Sequence, residues 1–269
     1  MSNPLIFGTG VSSYKDEGGV MSVCEAAVNT GIRRFDSAPS YGTEVVLARC
    51  LHSIIKKKGM VRSDFRIQTK IDPIQMFEGD VEGYFKRKLR AMELDYIDVL
   101  LIHWPVYKYL RKTWEAMLRL RNEGVARKIG ICNLRVTHLN ELKGIGIIPE
   151  ILQIERHPLN VFEAERNYCI ENGIKLQDYS PLCKMHPLIK NNVALKAMSE
   201  KYGRSIGSLV LRWHLDTGAT PIFTSKKTSR IEEYSDIDDF QLSQEDIECI
   251  SSLNINHKLY LESLVCPGF

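Results

Sequence analysis

The sequence lacks the features that mark several large classes of protein. Its 269 residues include seven cysteines, an odd number without a CxxC spacing, which argues against a disulfide framework or a zinc site. No apolar run reaches the roughly 18 residues that a membrane helix needs, and no N-terminal signal pattern is present. The formal net charge is only +3. We therefore expect a cytoplasmic protein with reduced thiols that binds neither nucleic acid nor a membrane.

Short apolar runs alternate with longer amphipathic stretches along the chain. Eight runs are typical of strands: PLIFGTG, IRRFDSA, FRIQTKI, YIDVLLIH, RKIGIC, EILQIE, IKLQDYS and TPIFTS. Helical patterns lie at 18–30, 43–57, 80–92, 110–123, 135–143, 162–172 and 191–216, the last interrupted near Tyr202-Gly203. Strands that alternate with helices predict right-handed βαβ units and a parallel sheet.

Eight such units predict an α/β fold, a (β/α)₈ TIM barrel in a single domain over residues 1–269. An α/β barrel needs about 250 residues, and the absence of GxGxxG after the first strand counts against a Rossmann domain. Ser243, followed by acidic residues, predicts an extra C-terminal helix over about 243–253. The tail from Asn254 onward is too apolar and aromatic for disorder, so we expect it to pack against the barrel.

Four polar side chains lie where the second, third and fourth predicted strands end. Asp36 and Tyr41 follow IRRF, Lys70 ends FRIQTK, and His103 ends YIDVLLIH. Each one has an ordinary structural explanation when taken alone, although a buried lysine is rare unless it is paired. Barrel enzymes build their sites at the carboxyl ends of the strands. The four residues together therefore predict an active site.

The chemistry of this set is specific. A free tyrosine has a pKa near 10, and a neighbouring ammonium favours the phenolate and lowers that pKa. A carboxylate keeps the lysine charged and oriented, while an imidazole can hydrogen-bond a substrate oxygen. Such a set donates a proton to an oxygen that gains negative charge. Cys132 has no obvious activating base, so we interpret it as a packing residue rather than a nucleophile.

The chain resembles the aldo-keto reductase family over nearly its whole length. The matching segments are GIRRFDSAPSYGTE, TK at 69–70, LDYIDVLLIHWP, EGVARKIGICN, QIERHP, DYSPL, LVLRWHLDTG and SRIEEY. The resemblance implies a barrel that binds a nicotinamide dinucleotide without a Rossmann fold. It also implies a catalytic tetrad in which Tyr41 donates the proton, Lys70 and Asp36 tune it, and His103 orients the carbonyl.

The resemblance extends to residues that bind the cofactor. It implies that Asn133 and Gln153 hold the nicotinamide carboxamide and that Tyr179 stacks on the ring. The other implied contacts are Ser180, Pro181 and Leu182 beside the pyrophosphate, Ser225 and Arg230 near the adenosine 2′-phosphate, and Glu233 near the adenine. Guanidinium is well suited to phosphate because it forms bidentate hydrogen bonds.

The chain also departs from the family pattern. Thr224 replaces the lysine that usually meets the 2′-phosphate, so Lys226 or Lys227 would have to substitute for it. Tyr234 replaces an asparagine and is interpreted as a ring that stacks on the adenine. For the wall of the substrate pocket, the candidates are Trp104, Tyr14, Tyr107, Phe77 and Tyr260.

The function predicted first is the reduction of an aldehyde or ketone to an alcohol by a monomeric, NADPH-dependent oxidoreductase. NADH is the less favoured cofactor, and no metal is expected. A second hypothesis is a regulatory or scaffold protein that binds the nicotinamide cofactor on the same barrel with little catalysis. The complete tetrad disfavours it, because a protein without catalysis needs none of the four. A barrel hydrolase or isomerase would need paired carboxylates, a metal cluster or a phosphate loop after strands seven and eight, and the sequence offers no convincing set of metal ligands.

Overall fold

Eight parallel strands close on themselves in chain order in the computed structural model, which describes residues 3–10 and 17–261. The strands are β1 (Asn3–Gly8), β2 (Ile32–Asp36), β3 (Arg66–Ile71), β4 (Ile97–Ile102), β5 (Ala126–Cys132), β6 (Ile151–Glu155), β7 (Lys175–Tyr179) and β8 (Thr220–Phe223). Because β8 pairs back to β1, the sheet is a closed barrel, and the predicted (β/α)₈ fold is confirmed.

Helices connect the strands. They are α1 (Glu17–Asn29), α2 (Glu44–Lys58), α3 (Pro73–Glu78), α4 (Val81–Ala91), α5 (Tyr107–Asn122), α6 (Val136–Gly144), α7 (Glu163–Glu171), α8 (Pro187–Lys190), α9 (Val193–Tyr202), α10 (Ile206–Asp216), α11 (Thr228–Glu232) and α12 (Gln244–Ser251). Every helix predicted from the pattern is present, and the 191–216 stretch divides at Gly203, whose φ of 61° ends α9. The sequence analysis did not predict α3, α8 and α11, which have only four to six residues each.

The main hydrophobic core lies between the barrel and its helices. Strand β4 is buried along nearly its whole length, as expected for a parallel strand that is covered on both faces. Four phenylalanines of this core contact one another at ring-centroid distances of 5.5 to 6.3 Å: Phe7, Phe35, Phe65 and Phe223. Each buried phenylalanine stabilises the fold by about 2 kcal/mol, so this layer holds the helices on the strands.

The inside of the barrel is more polar than the core around it. An apolar cluster of Leu101, Cys132 and Ile151 occupies the side formed by β4 to β6. Several other interior positions carry buried polar side chains: Asp36, Gln68, Lys70, Gln153 and Gln177. Side chains two residues apart on a strand share a face, so β3 points both Gln68 and Lys70 inward.

The C-terminal segment returns to the barrel. Helix α12 begins after Ser243, whose hydroxyl accepts a hydrogen bond from a first-turn amide, as predicted. Beyond the helix, the amides of Ile255 and His257 donate to the Leu159 carbonyl at 3.2 and 2.9 Å. The described part of the tail, up to Leu261, therefore packs against the barrel as expected.

Candidate active site

The structure brings the four predicted catalytic residues together at the carboxyl ends of β2 to β4. The Nζ atom of Lys70 lies 2.8 and 2.9 Å from the two carboxylate oxygens of Asp36 and 2.9 Å from the Ser37 carbonyl. The same nitrogen lies 3.4 Å from the Tyr41 hydroxyl. The rings of Tyr41 and His103 meet edge to face, with centroids 5.6 Å apart. The shared rim expected from the strand ends is therefore observed.

Burial and neighbouring charges together set the protonation states of Lys70 and Tyr41. Burial alone would lower the pKa of Lys70, but the Asp36 carboxylate outweighs it, and the pKa of the ammonium is raised above its ordinary value. Burial raises the pKa of Tyr41 to about 12, against the opposing charge of Lys70. Lys70 lowers the pKa of Tyr41, as the sequence analysis expected, but desolvation of the phenolate raises that pKa by more. Tyr41 therefore keeps its proton at neutral pH.

His103 is held by Asp72, an acid that the sequence analysis missed. The Nδ1 atom of His103 contacts an Asp72 carboxylate oxygen, and the other oxygen accepts the Ser40 amide at 2.7 Å. Asp72 is the residue before α3 and lies two residues beyond Lys70. That spacing was the available signal, because alternate residues of a strand point the same way.

Three buried glutamines lie beneath the tetrad. The amide nitrogen of Gln68 donates to Asp36 at 2.7 Å and to Gln177 at 3.0 Å, and Gln177 donates back to Gln68 at 3.0 Å. The Gln153 nitrogen also donates to Gln177 at 3.0 Å. We call Gln68, Gln153 and Gln177 the amide array. It connects β3 to β6 and β7 across the barrel and orients the Asp36 carboxylate.

At the carboxamide end of the implied cofactor site, hydrogen bonds within the protein hold the Asn133 side chain in place. Asn133 adopts a φ of 62°, a conformation that asparagine tolerates better than most residues. Its amide nitrogen donates to the His103 carbonyl at 2.9 Å, and its oxygen accepts the Tyr179 hydroxyl at 2.9 Å. Because the Gln153 nitrogen is turned toward Gln177, its amide oxygen is available to accept a hydrogen bond from a carboxamide.

A cavity of about 740 Å³ lies at the carboxyl ends of the strands, and three members of the tetrad, Asp36, Tyr41 and His103, line it. Its lining is Gly8, Gly10, Asp36, Ser40, Tyr41, His103, Trp104, Asn133, Gln153, Tyr179, Ser180, Pro181, Leu182, Lys184, Met185, Ile222, Phe223, Thr224, Arg230 and Tyr260. This list contains the carboxamide-side and pyrophosphate-side residues implied by the resemblance. The cavity therefore connects the predicted acid to the predicted cofactor groove.

The residues implied for the adenosine part of the cofactor agree only in part with expectation. Arg230 and Thr224 line the cavity, whereas Ser225 and Glu233 do not. Tyr234 is buried against Phe223, with ring centroids 5.2 Å apart, so its ring is not exposed for stacking on an adenine. The physical reason is the room left by Gly207, where a Cβ would lie 2.6 Å from the Tyr234 hydroxyl.

The candidates for the substrate wall separate into two groups. Trp104 and Tyr260 line the cavity. Tyr107 and Phe77 are 63% and 67% exposed and face away from it, because α5 and α3 present them to solvent. Tyr14 lies outside the described residues. The wall is thus formed by one residue after β4 and one from the C-terminal tail.

Glu155, at the end of β6, holds the tail residue that reaches the cavity. Its two carboxylate oxygens accept the amides of Leu259 at 2.6 Å and Tyr260 at 3.0 Å. The ring of Tyr260 then lies 5.9 Å from that of Tyr179, edge to face. This clamp, which the sequence analysis did not predict, places an aromatic side chain beside the implied nicotinamide site.

Other kinds of site find no support in the part of the chain that the structure describes. No group of three histidine, cysteine or acidic side chains there is arranged to hold a metal ion. Among the same residues, no helix combines the length and apolar character required to cross a bilayer.

Comparison with known proteins agrees with this geometry. A sequence model of the aldo/keto reductase family matches residues 4–255. The glyoxal reductase of Bacillus subtilis is 35% identical over 255 residues, which cover 94% of this chain and 90% of that protein. Methylglyoxal reductase DkgA of Escherichia coli O157:H7 is 31% identical, with coverage of 94% and 90%.

A solved structure shows the same architecture. The aldo-keto reductase of Bombyx mori, crystallised in complex with NADP, superposes with a TM-score of 0.88 at 29% identity and covers 96% of this chain and 91% of that one. The barrel, the converging rim residues and a family match over nearly the full length lead to one assignment. The chain belongs to the aldo/keto reductase family and is an oxidoreductase that acts on carbonyl groups.

Proposed function

We propose that this chain reduces a small aldehyde or ketone with NADPH and that Tyr41 supplies the proton. The observation that carries the proposal is the Tyr41 hydroxyl in the cavity lining, 3.4 Å from the ammonium of the buried Lys70–Asp36 pair. A general acid must be within reach of the oxygen that it protonates. The cavity offers that oxygen a place against the Tyr41 hydroxyl.

The residues along the cavity fit a nicotinamide dinucleotide. The Gln153 oxygen and Asn133 suit the carboxamide, Tyr179 presents a ring for stacking, and the backbone of Ser180 to Leu182 borders the groove. When bound, the cofactor supplies the hydride that the carbonyl carbon accepts. The side chains of this protein orient the two reactants and provide the proton.

The tetrad performs the proton transfer in an environment of low dielectric constant. Tyr41 donates its hydroxyl proton as the carbonyl oxygen gains negative charge. The Lys70 ammonium, already directed at the phenol, stabilises the phenolate that remains, and fixed charges act strongly where water is excluded. Asp36 keeps the ammonium charged and in place.

The proposed preference for NADPH rests on Arg230. Arg230 lines the same cavity as Tyr41, and guanidinium pairs with phosphate in bidentate fashion. Exposed Lys226 and Lys227 precede α11 and add positive charge nearby. We expect Arg230→Leu to raise KM for NADPH about tenfold while changing KM for NADH much less. Equal effects on the two cofactors would assign Arg230 to structure rather than phosphate recognition.

The substrate proposal is a small carbonyl compound, supported by relatives named as reductases of glyoxal and methylglyoxal. The decisive experiment follows NADPH oxidation with methylglyoxal for the parent protein and Tyr41→Phe. We expect the variant to bind NADPH normally but to lose at least about 10³-fold in kcat. Undiminished turnover in the variant would reject Tyr41 as the acid. Cofactor binding without turnover of any carbonyl by the parent protein would favour the scaffold hypothesis.

A further inference from the structure

We propose that the amino-terminal mouth of the barrel, at the end opposite the active site, binds a small anion that carries several linked phosphate groups. Four cationic side chains converge there from four different strands, and we call them the cationic ring: Arg34 of β2, Arg66 of β3, Lys128 of β5 and Lys175 of β7. None of the four lines the cavity at the carboxyl ends of the strands. The proposed site is therefore separate from the active site and goes beyond carbonyl reduction.

The alternation of side chains along each strand directs the cationic ring into the barrel. Each member lies an even number of residues before an interior side chain of its own strand, and alternate residues share a face. Arg34 precedes Asp36 by two positions, and Lys128 precedes Cys132 of the inner apolar cluster by four. In the register of the barrel, Arg34 and Arg66 are direct partners on neighbouring strands. The four side chains therefore form one inward-facing layer at the amino-terminal mouth.

The members of the cationic ring are close enough to repel one another. The ammonium groups of Lys128 and Lys175 are within hydrogen-bonding distance of each other. The charge of Lys128 is the largest cause that lowers the pKa of Lys175, and the charge of Arg34 adds to it. Burial and, after it, the charge of Arg66 lower the pKa of Arg34. Like charges that face each other on neighbouring strands are destabilising, and an anion placed among them turns this repulsion into attraction.

Within the described residues, the two lysines of the ring form no ion pair with an acid. Glu150 is the acid whose charge acts on Lys175, but its carboxylate already has other partners. One of its oxygens, Oε1, accepts the Ile129 amide at 3.2 Å and lies 3.5 Å from the Nη1 atom of Arg121. The positive charges of Lys128 and Lys175 are therefore left without a counter-ion of their own.

The acid beside the arginine side of the ring, Asp98, is shared among three guanidinium groups. Its Oδ2 atom lies 2.8 Å from Arg62, and its Oδ1 atom lies 3.6 Å from Arg127. Arg66 is the most distant of the three, at 3.9 Å. The Nη1 atoms of Arg34 and Arg66 donate to backbone carbonyls at 2.7 to 3.2 Å, whereas their Nη2 atoms have no hydrogen-bond partner among the described residues. Both guanidinium groups therefore keep a donor for a ligand.

The size and charge of the site define its ligand. The interior of an eight-stranded barrel is just wide enough for side chains, so the mouth admits a small ion rather than an extended polymer. Guanidinium pairs with phosphate through two parallel hydrogen bonds, and an ammonium binds phosphate as a point charge. The four formal positive charges of the ring require an anion with a similar number of negative charges, which a single phosphate or carboxylate lacks. Linked phosphates, as in tripolyphosphate, meet both conditions.

The test is the binding of tripolyphosphate, measured by isothermal titration calorimetry at low ionic strength, where charges are weakly screened. Lys128→Gln/Lys175→Gln removes half of the ring, and we expect its dissociation constant to exceed that of the parent protein by at least about tenfold. The matched control, Lys56→Gln/Lys58→Gln, removes the same charge from the exposed last turn of α2. It should change the dissociation constant by less than about twofold. Equal losses in the two variants would reduce the binding to general electrostatic attraction and overturn the proposal.

Two further titrations identify the place and the class of the anion. Arg230→Leu, in the proposed cofactor groove, should bind tripolyphosphate as the parent protein does. Orthophosphate should bind the parent protein at least about tenfold more weakly than tripolyphosphate. Binding that is lost in Arg230→Leu but kept in Lys128→Gln/Lys175→Gln would place the anion in the active-site cavity, and equally tight binding of orthophosphate would contradict a site for linked phosphates. Neither titration measures turnover, so its failure is distinct from a failure of the proposed carbonyl reduction.

Thermal unfolding provides a second measurement and shows whether the ring variant is folded. Tripolyphosphate at about 100 times its dissociation constant should raise the Tm of the parent protein by about 5 °C, because a ligand that binds only the folded state stabilises it. At the same concentration, the Tm of Lys128→Gln/Lys175→Gln should rise by at most about half as much. Equal shifts in the two proteins, or no shift in the parent protein, would overturn the proposal.

Discussion

Two buried ion pairs of the same kind serve different purposes in this molecule. Inside the barrel, Lys70 pairs with Asp36 at 2.8 Å. Outside it, beneath α10, Arg156 pairs with Asp178 at 2.8 Å, and His214 contacts the same carboxylate at 2.5 Å. In both pairs the cation's side chain is fully buried. Burial of an ion pair therefore does not by itself identify a catalytic site.

The difference lies in what each cation touches beyond its acid. Lys70 directs a further donor toward Tyr41, which lines the cavity. Arg156 donates further hydrogen bonds to the Val161 carbonyl and to the Thr217 hydroxyl. A guanidinium offers five donors in a rigid fork and suits such bracing, whereas an ammonium is a compact charge. The inner pair therefore presents its charge to the proposed acid, Tyr41, and the outer pair joins structural elements.

The most damaging change should be Lys70→Met, which removes the inner cation. It leaves Asp36 charged and buried without its partner, and we expect a loss of about 3–5 kcal/mol in the free energy of unfolding. We also expect kcat to fall by about 10³-fold, because the phenolate loses its stabilising charge. Thermal unfolding and NADPH oxidation measure the two effects. In Lys70→Met/Asp36→Leu, stability should recover but activity should not. If the double variant also recovered activity, the Lys70–Asp36 pair would have no role in catalysis.

The outer pair should separate stability from activity. Arg156→Met leaves the buried Asp178 carboxylate without its cationic partner, and the Oδ1 atom of Asp178 already lacks a partner among the described residues. We expect the free energy of unfolding to fall by about 3 kcal/mol or more. Because the Arg156 side chain does not line the cavity, kcat per folded molecule should change by less than about threefold. The control Arg156→Met/Asp178→Leu should regain most of the stability. A large fall in kcat for the single variant would erase the distinction between the pairs.

The sequence predicted the barrel and the meeting of the tetrad because both follow from chain order. Eight periodic segments define eight βα units, and parallel strands bring all their carboxyl ends to one rim. Asp36, Lys70 and His103 had only to be placed at strand ends for their proximity to follow. No knowledge of side-chain packing was required.

Contacts that depend on packing were not predictable in this way. Gln68 and Gln177 are 109 residues apart, and their pairing follows from the closed register of the barrel, which no local pattern specifies. Tyr234 was assigned to the adenine site by its position in the sequence, but the space beside Gly207 buries it. The spacing from Lys70 could have indicated which way Asp72 points, but its contact with His103 depends on how β3 and β4 pack together.

A smaller effect should come from the amide array that supports the inner pair. Gln68→Leu removes a donor from Asp36 and leaves Gln177 with an unsatisfied amide, which should cost about 1–3 kcal/mol. Gln68→Leu/Gln177→Leu should cost less than the sum of the two single variants, because paired polar groups are removed together. Chemical denaturation measures all three. As a control, Asn3→Ala removes a buried amide that bonds the Tyr234 carbonyl at the opposite end of the barrel. Gln68→Leu should also lower kcat, because it removes a donor from Asp36; an equal fall in Asn3→Ala would show that the array has no special link to Asp36.

The smallest effect should appear in the pH dependence of stability, to which two histidines contribute: His103 near the inner pair and His214 in contact with the outer one. Burial lowers the pKa of His103 and of His214 below the ordinary 6.5. As the pH falls below 6.5, these histidines become protonated in the unfolded chain while they are still neutral in the folded chain. The free energy of unfolding therefore decreases. Each histidine adds a slope of at most about 1.4 kcal/mol per pH unit. His214→Asn, whose amide can donate to Asp178, should remove one proton from that slope and leave the pH profile of kcat unchanged. The corresponding His103→Asn should flatten the stability curve equally but alter kcat, since only His103 faces the cavity.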